Sequence, residues 1–230
     1  MSFAGLAERL AQVRAEIARR QAVGGWSHPV TVVAVTKGFG ADAVEAALAA
    51  GLRDVGENRV QEALDKMATG DLGSRATWHL IGHLQRNKAK LVPGRFALVH
   101  SVDSPGLAEE LDRRASAAQV RQRVLVQVNV AGEEQKSGCA VAEAPDLARR
   151  VHALPGLVLD GLMTLAPLTD DEAVQRRTFR GLRALRDRLQ EEGLWVPTLS
   201  MGMSSDYATA VEEGATLIRL GTVLFGARPT

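Results

Sequence analysis

Apolar positions follow two different periods along this chain. Phe3, Leu6, Leu10, Val13 and Ile17 fall at helical spacing with Arg and Glu between them, which predicts an amphipathic helix over 3–20. Short apolar runs then alternate with helical patterns. TVVAVT (31–36) precedes AVEAALAAG, DVGEN after Arg53 precedes RVQEALDKM, and WHLIG (78–82) precedes a short helix. ALVHSVD (97–103) leads into GLAEELDRRASAA, and VLVQVNV (124–130) into PDLARRVHAL. Three more units follow: LVLDGLMTLA (157–166) before a long helix over 171–192, TLSMG before YATAVEEG, and TLIRLG before a short tail.

The eight strand-like runs are nearly continuous in apolar residues, as a parallel sheet buried on both faces requires. Eight strand-helix units in 230 residues predict a single (β/α)8 barrel, slightly under the ~250 residues typical of that fold. An open doubly wound sheet is the alternative. No low-complexity stretch or Pro/Gly-rich linker interrupts the pattern. One domain over 1–230 is expected, with an extra N-terminal helix (1–22) packed on the barrel.

Composition narrows the partners. Hydrophobic residues make up 46% and charged residues 24%, a balance that supplies a core and argues against disorder. Lys plus Arg (28) nearly cancels Asp plus Glu (27), so no overall positive field gathers nucleic acid or anionic membrane. No stretch approaches the ~20 apolar residues needed to span a bilayer. The N-terminus carries charges throughout, unlike a signal peptide, and the single cysteine, Cys139, suits a reducing compartment. A cytoplasmic protein is expected.

In such a barrel, function sits where strands end and loops begin. Lys37 follows VVAVT directly, at the rim of a low-dielectric pocket where desolvation and a neighbouring cation lower a lysine pKa. A neutral amine can attack an aldehyde. The plainer reading is a solvated strand-end lysine. In SMGMSSD (200–206), Ser204 or Ser205 is placed to cap the helix beginning near Tyr207, and free N–H groups there would suit an anion. Gly221 and Thr222 sit on the next loop, and phosphate sites of this fold often use these two loops together. An ordinary capped turn would look the same. Arg219 interrupts the apolar run LIRLG, so it should meet a polar ligand atom or an acid. His79 and His83 lack companions at metal-ligand spacing, and the chain has no GxSxG, P-loop or GxGxxG motif. The Arg-rich helix over 176–188 reads as a solvated outer helix.

Longer motifs carry a resemblance. AVTK with Lys37, VGENRVQE with Asn58, WHLIGHLQRNK, QVNV followed by EEQKSG, GLMT with Met163, LSMGMSSDYATAVEEGAT and IRLGTVLFGAR run in order from Val30 to Arg228. Together they resemble the YggS/PROSC family of pyridoxal phosphate homeostasis proteins. That family is similar to the N-terminal barrel domain of alanine racemase. The resemblance implies pyridoxal 5'-phosphate as cofactor, held as a Schiff base on Lys37. It also implies Ser200, Gly202, Ser204, Gly221 and Thr222 at the phosphate, Arg219 at the pyridine nitrogen, and Asn58, Ile81 and Met163 around the ring. Gly38 and Phe39 stand where other members often carry Thr or Lys, which bears on fine tuning near the imine.

An arginine beside the ring nitrogen disfavours its protonation, because two positive charges would share a poorly screened pocket. The ring is then a weak electron sink, which argues against transamination and decarboxylation. Two functions fit best: intracellular binding, buffering or delivery of pyridoxal phosphate with no efficient reaction of its own, as the resemblance implies, and amino-acid racemisation. A racemase needs a second acid/base. In alanine racemases that group is a tyrosine from an added β-domain; this sequence ends at Thr230, and its only tyrosine, Tyr207, belongs to a helix. A Schiff-base aldolase acting on a sugar phosphate is a third reading. Expected partners are pyridoxal phosphate and the apoenzymes that use it, and a monomer is expected.

Overall fold

The computed structural model describes residues 3–133 and 135–227; Glu134 of EEQKSG and Arg228 lie outside the described residues. The chain begins with α1 (Leu6–Gly24), followed by β1 (Thr31–Val35), α2 (Ala41–Ala49), β2 (Asp54–Glu57), α3 (Val60–Met67) and α4 (Leu72–Arg75). Next come β3 (Thr77–Leu80), a 3₁₀ turn (Arg86–Leu91), β4 (Leu98–Val102), α5 (Pro105–Ala117) and β5 (Gln122–Asn129). The remainder is β6 (Cys139–Ala140), α6 (Ala144–Ala153), β7 (Leu157–Met163), α7 (Glu172–Glu191), β8 (Thr198–Met203), α8 (Tyr207–Glu212), β9 (Leu217–Leu220) and α9 (Thr222–Phe225).

The strands join in the order β4-β3-β2-β1-β9-β8-β7-β5, all in parallel, and β4 pairs with β5 to close the ring. Closure excludes the open doubly wound sheet and gives the eight-stranded barrel. The two-residue β6 pairs with β5 outside it. Strand pairing is close enough to restrict side chains. A Cβ on Gly56 would come 2.9 Å from Val33 Cγ1, so β2 needs a glycine where the wall leaves no room.

Most of the apolar core lies between the barrel wall and the helices. Inside the barrel, Val33, Leu98, Leu125, Met163 and Leu217 form a smaller cluster. Leu6, Leu10, Val13 and Ile17 of α1 are buried, as their spacing predicts. The helix runs on to Gly24 and stops where Gly25 takes φ 74° and its N–H bonds Gln21 O. Polar ties fix it to the barrel's last elements: Arg20 Nη1 to Glu212 Oε2 at 2.8 Å and Arg9 Nε to Leu224 O at 2.7 Å. Phe3 lies ahead of the helix and packs edge-on against Phe39 and Phe225. The tail after TLIRLG is not structureless; its first four residues are α9.

Candidate functional site

Lys37 is set by a tight turn at the C-terminal end of β1. Phe39 N–H bonds Thr36 O at 3.0 Å, and Gly38, at φ 76°, donates its N–H to Glu62 Oε1 at 2.7 Å. Behind the turn lies a buried ionic cluster. Lys66 Nζ donates to Thr36 O at 2.8 Å and to Glu57 Oε1 at 2.6 Å, and Thr36 Oγ1 donates to the same carboxylate oxygen at 2.5 Å. The peptide immediately before Lys37 is therefore held by a charged group under it.

Lys37, half-buried, opens into a cavity of about 660 Å³ at the C-terminal mouth. Asn58, Ile81, Ser204, Arg219, Gly221 and Thr222 line the same cavity, so seven of the ten residues singled out from sequence share one space. Gln127, Lys136, Ser137, His83 and Leu165 complete much of its wall. Lys136 donates to Ala166 O at 2.8 Å and pairs with Glu133.

Three residues take other positions. Met163 packs in the small interior cluster. Ser200 is fully buried, its hydroxyl bonded to Arg219 and His100. Gly202, at φ 96°, faces α8: a Cβ there would approach Ala210 Cβ to 2.6 Å. Gly202→Ala combines backbone strain with overpacking, so we expect a loss of about 2–3 kcal/mol. A melting temperature lowered by about 6 °C in thermal denaturation checks this.

The serine cap is a correction. Asp206, not Ser204 or Ser205, stands before α8, and no side chain caps that helix. The Asp206 carboxylate is buried and accepts from Met203 N–H at 2.5 Å, so an anion at the start of α8 would face a like charge. Burial pushes the Asp206 carboxyl up, while Met203 N–H, Arg219 and Lys136 oppose the shift. Ser204 turns to the last loop instead, where its oxygen accepts from Gly221 N–H at 3.1 Å and Val223 N–H at 3.4 Å. Two backbone donors thus converge on the Ser204 hydroxyl oxygen beside Thr222, and an anionic oxygen reaching them would take the place of that hydroxyl.

Arg219 is 3% exposed, and burial pulls its guanidinium down to about 10, with Asp206 partly offsetting. It remains a cation at neutral pH. Nη1 donates to Ser200 Oγ at 2.5 Å and Nη2 to Thr164 O at 2.9 Å. No described carboxylate lies within ion-pair distance, so the acid that the sequence reading offered as one partner is absent among the described residues. Tyr207 does not line the cavity, and burial pushes its phenol up. Burial also pushes the Cys139 thiol up to about 12, which leaves it a poor nucleophile at neutral pH.

Sequence reading missed His100, although HS within ALVHSVD is a polar pair in an otherwise apolar run. It also gave no role to Asp54 or Lys66.

Comparison with known proteins agrees with the fold. Residues 9–229 match the family described as alanine racemase, N-terminal domain. A pyridoxal phosphate homeostasis protein of Pseudomonas aeruginosa is 46% identical over 226 residues, covering 97% of this chain and 96% of the relative. The protein of that name from Escherichia coli K12 is 38% identical, covering 97% of each. The structure of PipY from Synechococcus elongatus with pyridoxal phosphate bound superposes with TM-score 0.84 at 39% identity, over 96% of this chain and all of that one. Alanine racemase of Clostridium difficile shares the fold, with TM-score 0.77 at 13% identity over 96% of this chain and 61% of its own. With a closed barrel, a lysine at the end of its first strand and relatives matched along nearly their whole length, this chain belongs to the family of pyridoxal phosphate homeostasis proteins.

Proposed function

We propose that this protein binds pyridoxal 5'-phosphate as a Schiff base on Lys37 and serves its intracellular homeostasis by buffering or delivery, without efficient catalysis of its own. The observation that carries this reading is the donor set of the cavity. Lys37 brings an amine and Arg219 a buried guanidinium to one space that Ser204, Gly221 and Thr222 also line, with the Gly221 and Val223 N–H groups gathered on Ser204 Oγ. When bound, the ligand supplies an aldehyde that condenses with an amine as water leaves, and a phosphate dianion. Lys37 is the amine that the β1 turn presents. Gly221 and Val223 N–H, with Ser204 and Thr222, would take the phosphate, and Arg219 the ring nitrogen. Asn58 and Ile81 would flank the ring.

Arg219 keeps a positive charge where a second one is unfavourable, which discourages ring protonation and the reactions that depend on it. For racemisation, Lys37 could serve one face, but the only tyrosine is in α8 and off the cavity wall. We further propose that the protein acts in the cytoplasm as a monomer whose recipients are apoenzymes that use the same cofactor.

Protein incubated with pyridoxal phosphate should turn yellow, and borohydride should fix one ligand per chain, mapped by peptide mass spectrometry to Lys37. A colourless protein, or reduction onto another side chain, would overturn the reading. Appreciable interconversion of amino-acid enantiomers by the wild-type protein would defeat the carrier role in favour of the racemase.

A further inference from the structure

Five polar side chains form one unbroken line through the barrel. Arg219 Nη1 meets Ser200 Oγ at 2.5 Å, and Ser200 Oγ meets His100 Nδ1 at 2.9 Å. His100 Nε2 lies 3.0 Å from His79 Nδ1, and His79 Nε2 lies 3.0 Å from Asp54 Oδ1. β4, which carries His100, and β8, which carries Ser200, are not neighbours in the sheet, so the His100–Ser200 bond crosses the barrel interior. His100 and Ser200 are fully buried and His79 nearly so. Asp54, the first residue of β2, lies at the opposite mouth, where it shares a second cavity of about 250 Å³ with His79, Arg123 and Asp160.

The chemistry at the carboxylate end orders the protons along the line, and the guanidinium end accommodates that order. A guanidinium has only donors, so Ser200 Oγ accepts and its own proton can go to His100 Nδ1. In that case His100 carries its proton on Nε2 and donates to His79 Nδ1. At the far end a carboxylate has only lone pairs, so His79 Nε2 must be the protonated nitrogen. With His79 neutral, its Nδ1 must then accept from His100 Nε2–H, so the carboxylate sets Nε2–H in both rings, and the guanidinium end is compatible with that order because Ser200 Oγ can accept from Arg219 while donating to His100 Nδ1. Burial pushes the His100 imidazole well below its ordinary value, and the nearby His79 and Arg219 push it the same way, which keeps this ring neutral.

We propose that the line from Asp54 through His79, His100 and Ser200 is a positioning device for Arg219. It orients the guanidinium under the cavity and makes Ser200, His100 and the distant Asp54 determinants of how tightly a pyridine ring is held there. The affinity half of this inference rests on the function proposed above; the proton arrangement does not. Ser200 gives Nη1 its only acceptor among the described residues, and the aligned bonds polarise one another between a buried cation and an anion at the floor.

Long-range proton–nitrogen spectra of ligand-free, histidine-labelled protein at neutral pH test the arrangement directly. The resonances of His79 and His100, assigned with His79→Gln and His100→Gln, should both report neutral Nε2–H rings. An Nδ1–H or doubly protonated ring at either position overturns the proposal. Asp54→Asn, which retains an acceptor, should keep His79 in that tautomer, whereas Asp54→Ala should let it exchange; unchanged tautomers in Asp54→Ala overturn the link to the floor. In pyridoxal phosphate titrations followed by the visible band, Ser200→Ala should bind about tenfold more weakly, with a melting profile confirming its fold. Binding within about twofold of wild type overturns the positioning role. If wild-type protein takes up no ligand at all, the functional reading falls, and the tautomers still decide whether the line exists.

Discussion

Lys37→Ala is expected to abolish the yellow colour and all borohydride-resistant attachment, and to weaken pyridoxal phosphate binding by about 100-fold, roughly 3 kcal/mol. The loss should not be complete. Gly221 and Val223 N–H, Ser204 and Arg219 remain in the variant and still suit the anion and the ring, so a weak non-covalent complex should persist, competed by inorganic phosphate. Fluorescence titration gives the affinity and intact mass after reduction gives the attachment. A variant that keeps both the visible band and the mass gain would place the amine elsewhere in the cavity. Because Lys37 sits in the loop beyond β1, the far-ultraviolet dichroism should retain its shape.

The barrel was legible because its strands are buried on both faces and written as apolar runs separated by helical periods. α1 was legible for a related reason: one stripe of four apolar residues dictates its buried face. Elements too short to complete a period were not. α4 and α9 have four residues each and β6 has two, and nothing in a local window separates them from loop. The site divides the same way. Lys37, Arg219, Gly221 and Thr222 stand at strand ends, where position alone signals chemistry. Ser204 looked like a cap for the helix three residues on, yet its partners lie 17 and 19 residues downstream, brought beside it by the pairing of β8 with β9. His100 and Ser200 are 100 residues apart and meet only because the barrel closes. Lys66, within RVQEALDKM, reads as the solvated side of an amphipathic helix until β2 places Glu57 against it.

That hidden pair yields the largest expected effect on stability. Glu57 is fully buried, and its Oε2 has no hydrogen-bond partner among the described residues, so Lys66, Thr36 and one oxygen carry the whole compensation of a buried carboxylate. Lys66→Met strands that charge, which should cost about 3–5 kcal/mol at neutral pH and lower the melting temperature by roughly 10–15 °C. The defect should depend on pH with a definite sign. Desolvation already raises the Glu57 carboxyl above its ordinary 4.5, against the pull of Lys66 and Thr36. Without Lys66 it rises further. Between 4.5 and the raised value the native state holds a proton that the unfolded chain has released, so stability is greatest at the acid end and falls as pH climbs through the window. The gap between wild type and Lys66→Met should therefore narrow on acidification from neutral pH toward 5, in melting curves recorded by differential scanning fluorimetry. Adding Glu57→Gln to Lys66→Met should restore most of the loss, since a neutral amide need not be compensated as an ion. A deficit that is flat with pH and unrescued by Glu57→Gln would assign the role of Lys66 to packing of its stem instead. With the charge account upheld, the same cluster explains why Lys37 is presented reproducibly, because Lys66 grips the Thr36 carbonyl one peptide before it.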